Sequence, residues 1–102
     1  MLRRSIKRIP TAFEAGATRG NGHVKNVSKE GIFVRSSTLP DPGTEIRLIF
    51  HDRHGSKLEV RGLVRWTTTQ LPDGNQAKPG FGVQLTGRPE GYMDFYEQIL
   101  TR

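Results

Sequence analysis

Hydrophobic and polar residues alternate along most of this chain, in short runs separated by turn-forming residues. Successive side chains of an extended backbone point to opposite faces, so each alternating run predicts a half-buried β-strand. One run places Ile46, Leu48 and Phe50 on the same face, and the longest aligns Val60, Gly62, Val64 and Trp66. The predicted strands cover residues 9–17, 23–27, 31–36, 44–50, 57–69 and 81–85.

The segments between these runs are rich in glycine, proline, asparagine and aspartate, which favour turns. Residues 16–22 include Gly20-Asn21-Gly22 and predict a loop between the first two strands. Residues 39–43, 51–55 and 71–80 predict the later connections, and Gly62 within its strand predicts a bend or bulge.

The pattern changes near the C-terminus. Apolar residues there follow the spacing of an amphipathic helix, and Pro89 suits its first turn. These residues are Tyr92, Phe95, Tyr96, Ile99 and Leu100. Six short strands and one helix predict an all-β fold, a small six-stranded antiparallel barrel whose open end the helix covers.

A length of 102 residues allows one domain, which we divide into a basic arm (residues 1–8) and a barrel with its helix (residues 9–102). There is no cysteine, so a disulfide framework is excluded. No apolar stretch approaches the roughly 20 residues of a membrane span, and no apolar segment follows the charged start as in a secretory signal. We therefore expect a cytoplasmic protein.

The net charge of +6 indicates an anionic partner, and its placement is informative. Arg3, Arg4, Lys7 and Arg8 lie within the basic arm, and no acid precedes Glu14. A guanidinium can bind phosphate with two hydrogen bonds, and it can also bond the O6 and N7 atoms of guanine. The arm is therefore either an anion clamp or a solvated basic tail.

A second cluster combines Asn26 and Ser28 with Gly31. In an extended backbone Asn26 and Ser28 share a face and form a small polar surface. Gly31 permits the positive φ of a tight turn and leaves backbone N–H groups accessible to a ligand. The segment predicts a binding turn between strands, although asparagine and serine also form ordinary turns.

Together these residues resemble the PilZ domain family of bacteria. Arg4-x-x-x-Arg8 is similar to its arginine pair, and Asn26-x-Ser28-x-x-Gly31 is similar to its second motif. The sequences Gly31-Ile-Phe-Val, Pro42-Gly-Thr, Gly62-Leu-Val-Arg-Trp66 and Gly80-Phe-Gly-Val-Gln-Leu85 resemble the strand signatures of the family in order. This chain departs from the family pattern in three small ways. Asn26 stands where aspartate is more usual, and Glu30 stands where a small residue is common. The separation between the arginine pair and the second motif is on the short side.

The resemblance implies a cyclic di-GMP receptor that acts as an adaptor for an unidentified effector protein in motility, biofilm formation or a related process. Arg4 and Arg8, with Arg3 beside them, would bind phosphate and guanine. Asn26, Ser28 and the backbone of Gly31 would bind the ligand from the barrel. Trp66 is expected in the core or at its rim by alternation, or else against a guanine. No cofactor is expected.

Other functions have less support in the sequence. His23, His51 and His54 are scattered and lack a partner nucleophile or acid, so neither an enzyme nor a metal site is expected. A small basic barrel that binds single-stranded nucleic acid through Trp66 is an alternative, but exposed aromatic residues are few. A second alternative is an adaptor protein of the same fold that binds no nucleotide.

Overall fold

The computed structural model describes residues 9–52, 54–68, 79–87, 89 and 91–100. Within them six strands form a closed antiparallel barrel in the order β1-β2-β3-β6-β5-β4, and one helix follows. The elements are β1 Ile9–Ala15, β2 Thr18–Val27, β3 Gly31–Arg35, β4 Glu45–His51, β5 Lys57–Thr68, β6 Gly80–Gly87 and α1 Tyr92–Leu100. The predicted fold class is confirmed.

The alternating apolar residues form the barrel interior. Ile46, Leu48 and Phe50 of β4 are buried, as the sequence predicts. Other strands contribute Phe13, Val24, Val34, Val60, Val64, Phe81 and Val83 to the same hydrophobic core. Burial of these side chains is the main favourable contribution to folding.

The helix α1 packs on this core through its first turns. Tyr92 and Phe95 are buried, and the Phe95 ring lies 5.1 Å from the ring of Phe50 between centroids. In the described part of the chain, no helix is long and apolar enough to cross a membrane.

The predicted loop at residues 16–22 is wrong in its extent. The chain turns at Gly16, where φ is 61°, and Gly20-Asn21-Gly22 lies inside β2. A Cβ at Gly20 would lie 2.7 Å from Cζ of Phe13, and one at Gly22 would collide with the carbonyl oxygen of Arg35. These two glycines therefore serve close packing between strands, which sequence alone does not distinguish from a turn.

The pairing of β5 with β6 has two irregularities. One lies between Arg61 and Gly62, next to the predicted bend or bulge, but the extra residue there is Thr86 of β6, because Arg61 pairs with Gly87 and Gly62 with Leu85. The other lies between Val64 and Trp66, and it ends the alternation. Trp66 was expected in the core or at its rim, or else against a ligand; because it is 49% exposed, it does not belong to the core.

Candidate functional site

An open groove of about 510 Å³ lies on the outer surface of the barrel. Its size falls within the usual range of about 300–1,000 Å³ for small-molecule sites. Four sequence-predicted site residues border this candidate groove, namely Asn26, Ser28, Gly31 and Trp66. The remainder of its lining is Val27, Glu30, Ile32, Phe33, Arg65, Gly82, Val83 and Gln84.

Ser28 and Gly31 form a hydrogen-bonded turn between β2 and β3. The Ser28 N–H donates to the Gly31 carbonyl at 2.8 Å, and the Gly31 N–H donates to Ser28 Oγ at 3.0 Å. The turn is tied to β6, because the Leu85 N–H donates to the Glu30 carbonyl at 2.8 Å. The serine thus shapes the groove wall through its own backbone contacts.

The expected positive φ of Gly31 is not observed. Gly31 is the first residue of β3, and it is not among the described glycines that have a positive φ. A Cβ at this position would lie 2.9 Å from the carbonyl oxygen of Val83. Gly31 is therefore required for the close approach of β3 to β6. Its N–H is already bonded to Ser28 and is not an open donor.

Asn26 lies next to an irregularity in the pairing of β2 with β3. The register shifts between Val24 and Asn26, so that Asn26 pairs with Phe33 and Val27 with Ile32. A bulge redirects the side chains that follow it and increases the local twist. Asn26 and Ser28 both reach the groove, but simple strand alternation does not describe this part of β2.

The exposed indole of Trp66 forms part of an aromatic surface with Phe33. The two rings are stacked, with centroids 5.2 Å apart and an angle of 20° between their planes. Arg35 lies over Phe33, with its guanidinium carbon 4.8 Å from the ring centroid. Phe33 was not predicted as a site residue, since its apolar character in a strand indicated only packing.

The predicted clamp residues Arg3, Arg4 and Arg8 lie outside the described residues, as does Lys7. The first described residue, Ile9, pairs with Val24 of β2. Val24 precedes Asn26 by two positions, so the basic arm is attached to the barrel beside the strand that carries Asn26.

A second groove of about 440 Å³ has a different electrostatic character. It is lined by Glu14, Glu45, Arg47 and Arg61 among others. Arg47 contacts both Glu14 and Glu59, and Arg61 lies 3.8 Å from Glu59. Opposite charges compensate each other here, because Arg47 and Arg61 are paired with acidic side chains.

Over the described stretches of the chain, no group of three or more histidine, aspartate or glutamate residues is arranged to hold a metal ion. The candidate groove provides the polar groups of Asn26, Ser28 and Gln84 and the charged groups of Glu30 and Arg65, next to aromatic rings. Such a surface suits a ligand that combines planar rings with hydrogen-bonding edges.

The PilZ domain family model matches residues 3–101 of this chain. The barrel is similar to the structure of the Bacillus subtilis inhibitor of motility MotI/DgrA, with a TM-score of 0.75 and 16% identity over 99% of this chain. The chain spans about half of that protein, 49% of its length. It is also similar to the PilZ domain of CeSA from a cellulose-synthesising bacterium, with a TM-score of 0.65 and 11% identity. That match covers 99% of this chain and 97% of the CeSA domain. No curated protein matches the sequence.

Proposed function

We propose that this chain, which belongs to the PilZ domain family, binds cyclic di-GMP and relays its presence to a partner protein. The single observation that carries the proposal is the convergence of Asn26, Ser28, Gly31 and Trp66 on one groove. These residues come from the end of β2, the following turn, β3 and β5. Asn26, Ser28 and Gly31 are neighbours along the chain, whereas Trp66 is remote in sequence, and its position beside them at the same groove supports a binding surface.

The basic arm supplies the charge in this proposal. Arg8 is adjacent to Ile9, and an extended chain of about 3.6 Å per residue lets Arg4 reach roughly 18 Å from that point. Arg4 and Arg8, supported by Arg3, contact the phosphates of cyclic di-GMP and the edge of a guanine. The attachment of the arm beside β2 is compatible with a path back to the groove.

Asn26, Ser28 and Gly31 supply uncharged contacts from the groove. The Ser28 hydroxyl lies 3.3 Å from the Gly31 carbonyl, which already accepts a shorter bond from the Ser28 N–H. This long contact is weak, so the hydroxyl hydrogen can turn towards a ligand acceptor. Asn26 offers both a donor and an acceptor to a guanine edge. Gly31 contributes through the shape of the turn.

Trp66 provides an aromatic surface at the edge of the groove. An exposed indole can stack on a guanine base, and such stacking contributes about 1–3 kcal/mol per base in proteins that bind single strands. The stacking of Trp66 on Phe33 reduces the freedom that the indole loses when a ligand binds.

Signal relay follows from a change in surface. Binding orders the basic arm against the barrel and neutralises part of its charge, and a partner protein distinguishes the two states. In this proposal the chain is a cytoplasmic adaptor without catalytic activity. Its output is motility, biofilm formation or a related process. The similarity to an inhibitor of motility concerns the fold.

Amide NMR of the whole chain tests the proposed site. On addition of cyclic di-GMP, amides of residues 3–8 and 26–31 should shift together, because one ligand contacts both segments. Glu14 and Arg47 of the second groove serve as internal controls and should be unaffected. Shifts confined to the second groove, or none in a folded sample, would contradict the proposal.

The exposure of Trp66 also favours a second candidate, the binding of single-stranded RNA or DNA. The indole would then stack on successive bases while the basic arm contacts the backbone. Such binding would tolerate many sequences and weaken steeply with salt. It would also show no preference for one cyclic dinucleotide.

A further inference from the structure

A row of three residues crosses β3, β6 and β5 below the aromatic surface. Phe33 pairs with Gly82 on one side, and Trp66 pairs with Gly82 on the other. Residues directly opposite each other in antiparallel strands point to the same face. The two aromatic side chains therefore lean towards each other across a position that has no side chain, and their rings meet 5.2 Å apart.

The indole of Trp66 occupies the space that a side chain at Gly82 would need. A Cβ there would lie 2.7 Å from both Cζ2 and Nε1 of Trp66, and it would also meet Cε2. The nearest three atoms all belong to this one side chain. Gly82 is absent from the described glycines with positive φ, so its backbone conformation is open to other residues. What the position requires is room for the indole.

The position of Phe33, the other ring of the aromatic pair, is also restricted by its neighbours. Phe33 lies over Gly80, where a Cβ would be 2.6 Å from its Cζ, and Arg35 lies on its ring. Gly80 differs from Gly82, because a Cβ there would also meet the backbone oxygen of Val34 at 2.6 Å. Substitution of Gly80 would disturb the strand itself, whereas substitution of Gly82 acts on Trp66.

We propose that Gly82 and Phe33 are positioning residues, which hold the indole of Trp66 in the orientation that stacks on a guanine base of the ligand. The inference rests on the proposed function. Gly82 lets the indole lie against β6, and Phe33 supports it through ring stacking. Neither residue needs to contact the ligand. Without them Trp66 turns away from the groove and the base loses its stacking partner.

The Gly82→Ala variant tests this inference first without ligand. Trp66 is the only tryptophan, so intrinsic fluorescence reports on it alone. Gly82→Ala and Phe33→Leu should shift the emission and increase quenching by acrylamide. Gly87→Ala is the matched control on the same strand, because its Cβ would meet nothing closer than Cβ of Arg61 at 3.9 Å. An unchanged Gly82→Ala spectrum would overturn the inference.

Titration calorimetry with cyclic di-GMP then tests the link to binding. Gly82→Ala should weaken binding by about 5- to 150-fold, the range expected for loss of one stacked base. Gly87→Ala should bind like the wild type. In a Trp66→Ala background, adding Gly82→Ala should cause no further loss, since the residue that it positions is absent.

The outcomes separate the inference from the proposed function. A wild type that binds, with Gly82→Ala binding equally well, overturns the inference alone. Equal losses from Gly82→Ala with and without Trp66 also overturn it, because Gly82 would then act by another route. If Gly82→Ala does not fold, Phe33→Leu replaces it. Its effect on binding is then compared in the wild-type chain and in the Trp66→Ala background. A folded wild type that does not bind overturns both.

Discussion

The hydroxyl of Tyr92 donates a hydrogen bond of 2.8 Å to the backbone carbonyl of Ser28. These residues are 64 positions apart in the sequence. Tyr92 is fully buried at the start of α1, and Ser28 begins the turn that borders the candidate groove. The C-terminal helix is thus attached directly to the segment that we propose to bind the ligand.

This bond should contribute measurably to stability. Tyr92→Phe keeps the ring but removes the donor, so we expect a loss of about 0.5–1.5 kcal/mol in the free energy of unfolding. Amides of residues 28–31 should also exchange faster with solvent. Urea unfolding and hydrogen exchange provide the measurements. Tyr96→Phe, at a partly buried position of the same helix, is the matched control. Equal stability of both variants would argue against the role of the bond.

Gly31 should resist substitution for steric reasons. Gly31→Ala would place a Cβ 2.9 Å from the carbonyl oxygen of Val83, a backbone atom that cannot move without disturbing β6. Overpacking of this kind costs about 1–3 kcal/mol. Chemical denaturation should therefore show a lower midpoint for Gly31→Ala than for Gly87→Ala, whose new methyl group has room. Identical midpoints would refute the close-approach explanation.

Arg8 should contribute directly to binding. If its guanidinium makes a bidentate contact with the ligand, Arg8→Ala should weaken cyclic di-GMP binding by about 2–4 kcal/mol. Arg19→Ala removes the same charge from a largely exposed residue 3.6 Å from Glu14, and should have little effect. Calorimetric titrations of both variants provide the comparison. Wild-type affinity in Arg8→Ala would exclude the clamp.

The salt dependence of binding should distinguish a nucleotide receptor from a nucleic-acid-binding protein. Binding of an oligonucleotide of about 12 residues would weaken steeply as salt rises, because it releases many counterions. Cyclic di-GMP has two phosphates and should show a shallow dependence. Fluorescence titrations at low and physiological salt measure both. Tighter binding of the oligonucleotide, with a steep slope, would favour the second candidate function.

The sequence predicted the barrel well because alternation is a local signal. Ile46, Leu48 and Phe50 of β4 lie where their pattern places them. The errors occur where distant strands determine the outcome. Gly20-Asn21-Gly22 has turn composition, but the packing of Phe13 and the approach of β3 keep it in β2.

The same limit explains the candidate site. Asn26 and Ser28 are recognisable by residue type and spacing, whereas the exposure of Trp66 depends on a register shift between β5 and β6. Likewise, the local sequence around Gly31 suggested a positive φ. Glycine is required there because the backbone of Val83, on another strand, lies too close for a side chain. The contacts of Phe33 with Trp66 and of Tyr92 with Ser28 join residues that are distant in the sequence, so they arise only when the barrel closes.

Titration calorimetry of the whole folded chain with cyclic di-GMP tests the central proposal most directly. We expect saturable heat at micromolar ligand, and a much weaker response to GMP, which lacks the second base and phosphate. No heat from cyclic di-GMP, in a sample whose folding is verified by its unfolding transition, would contradict the proposal.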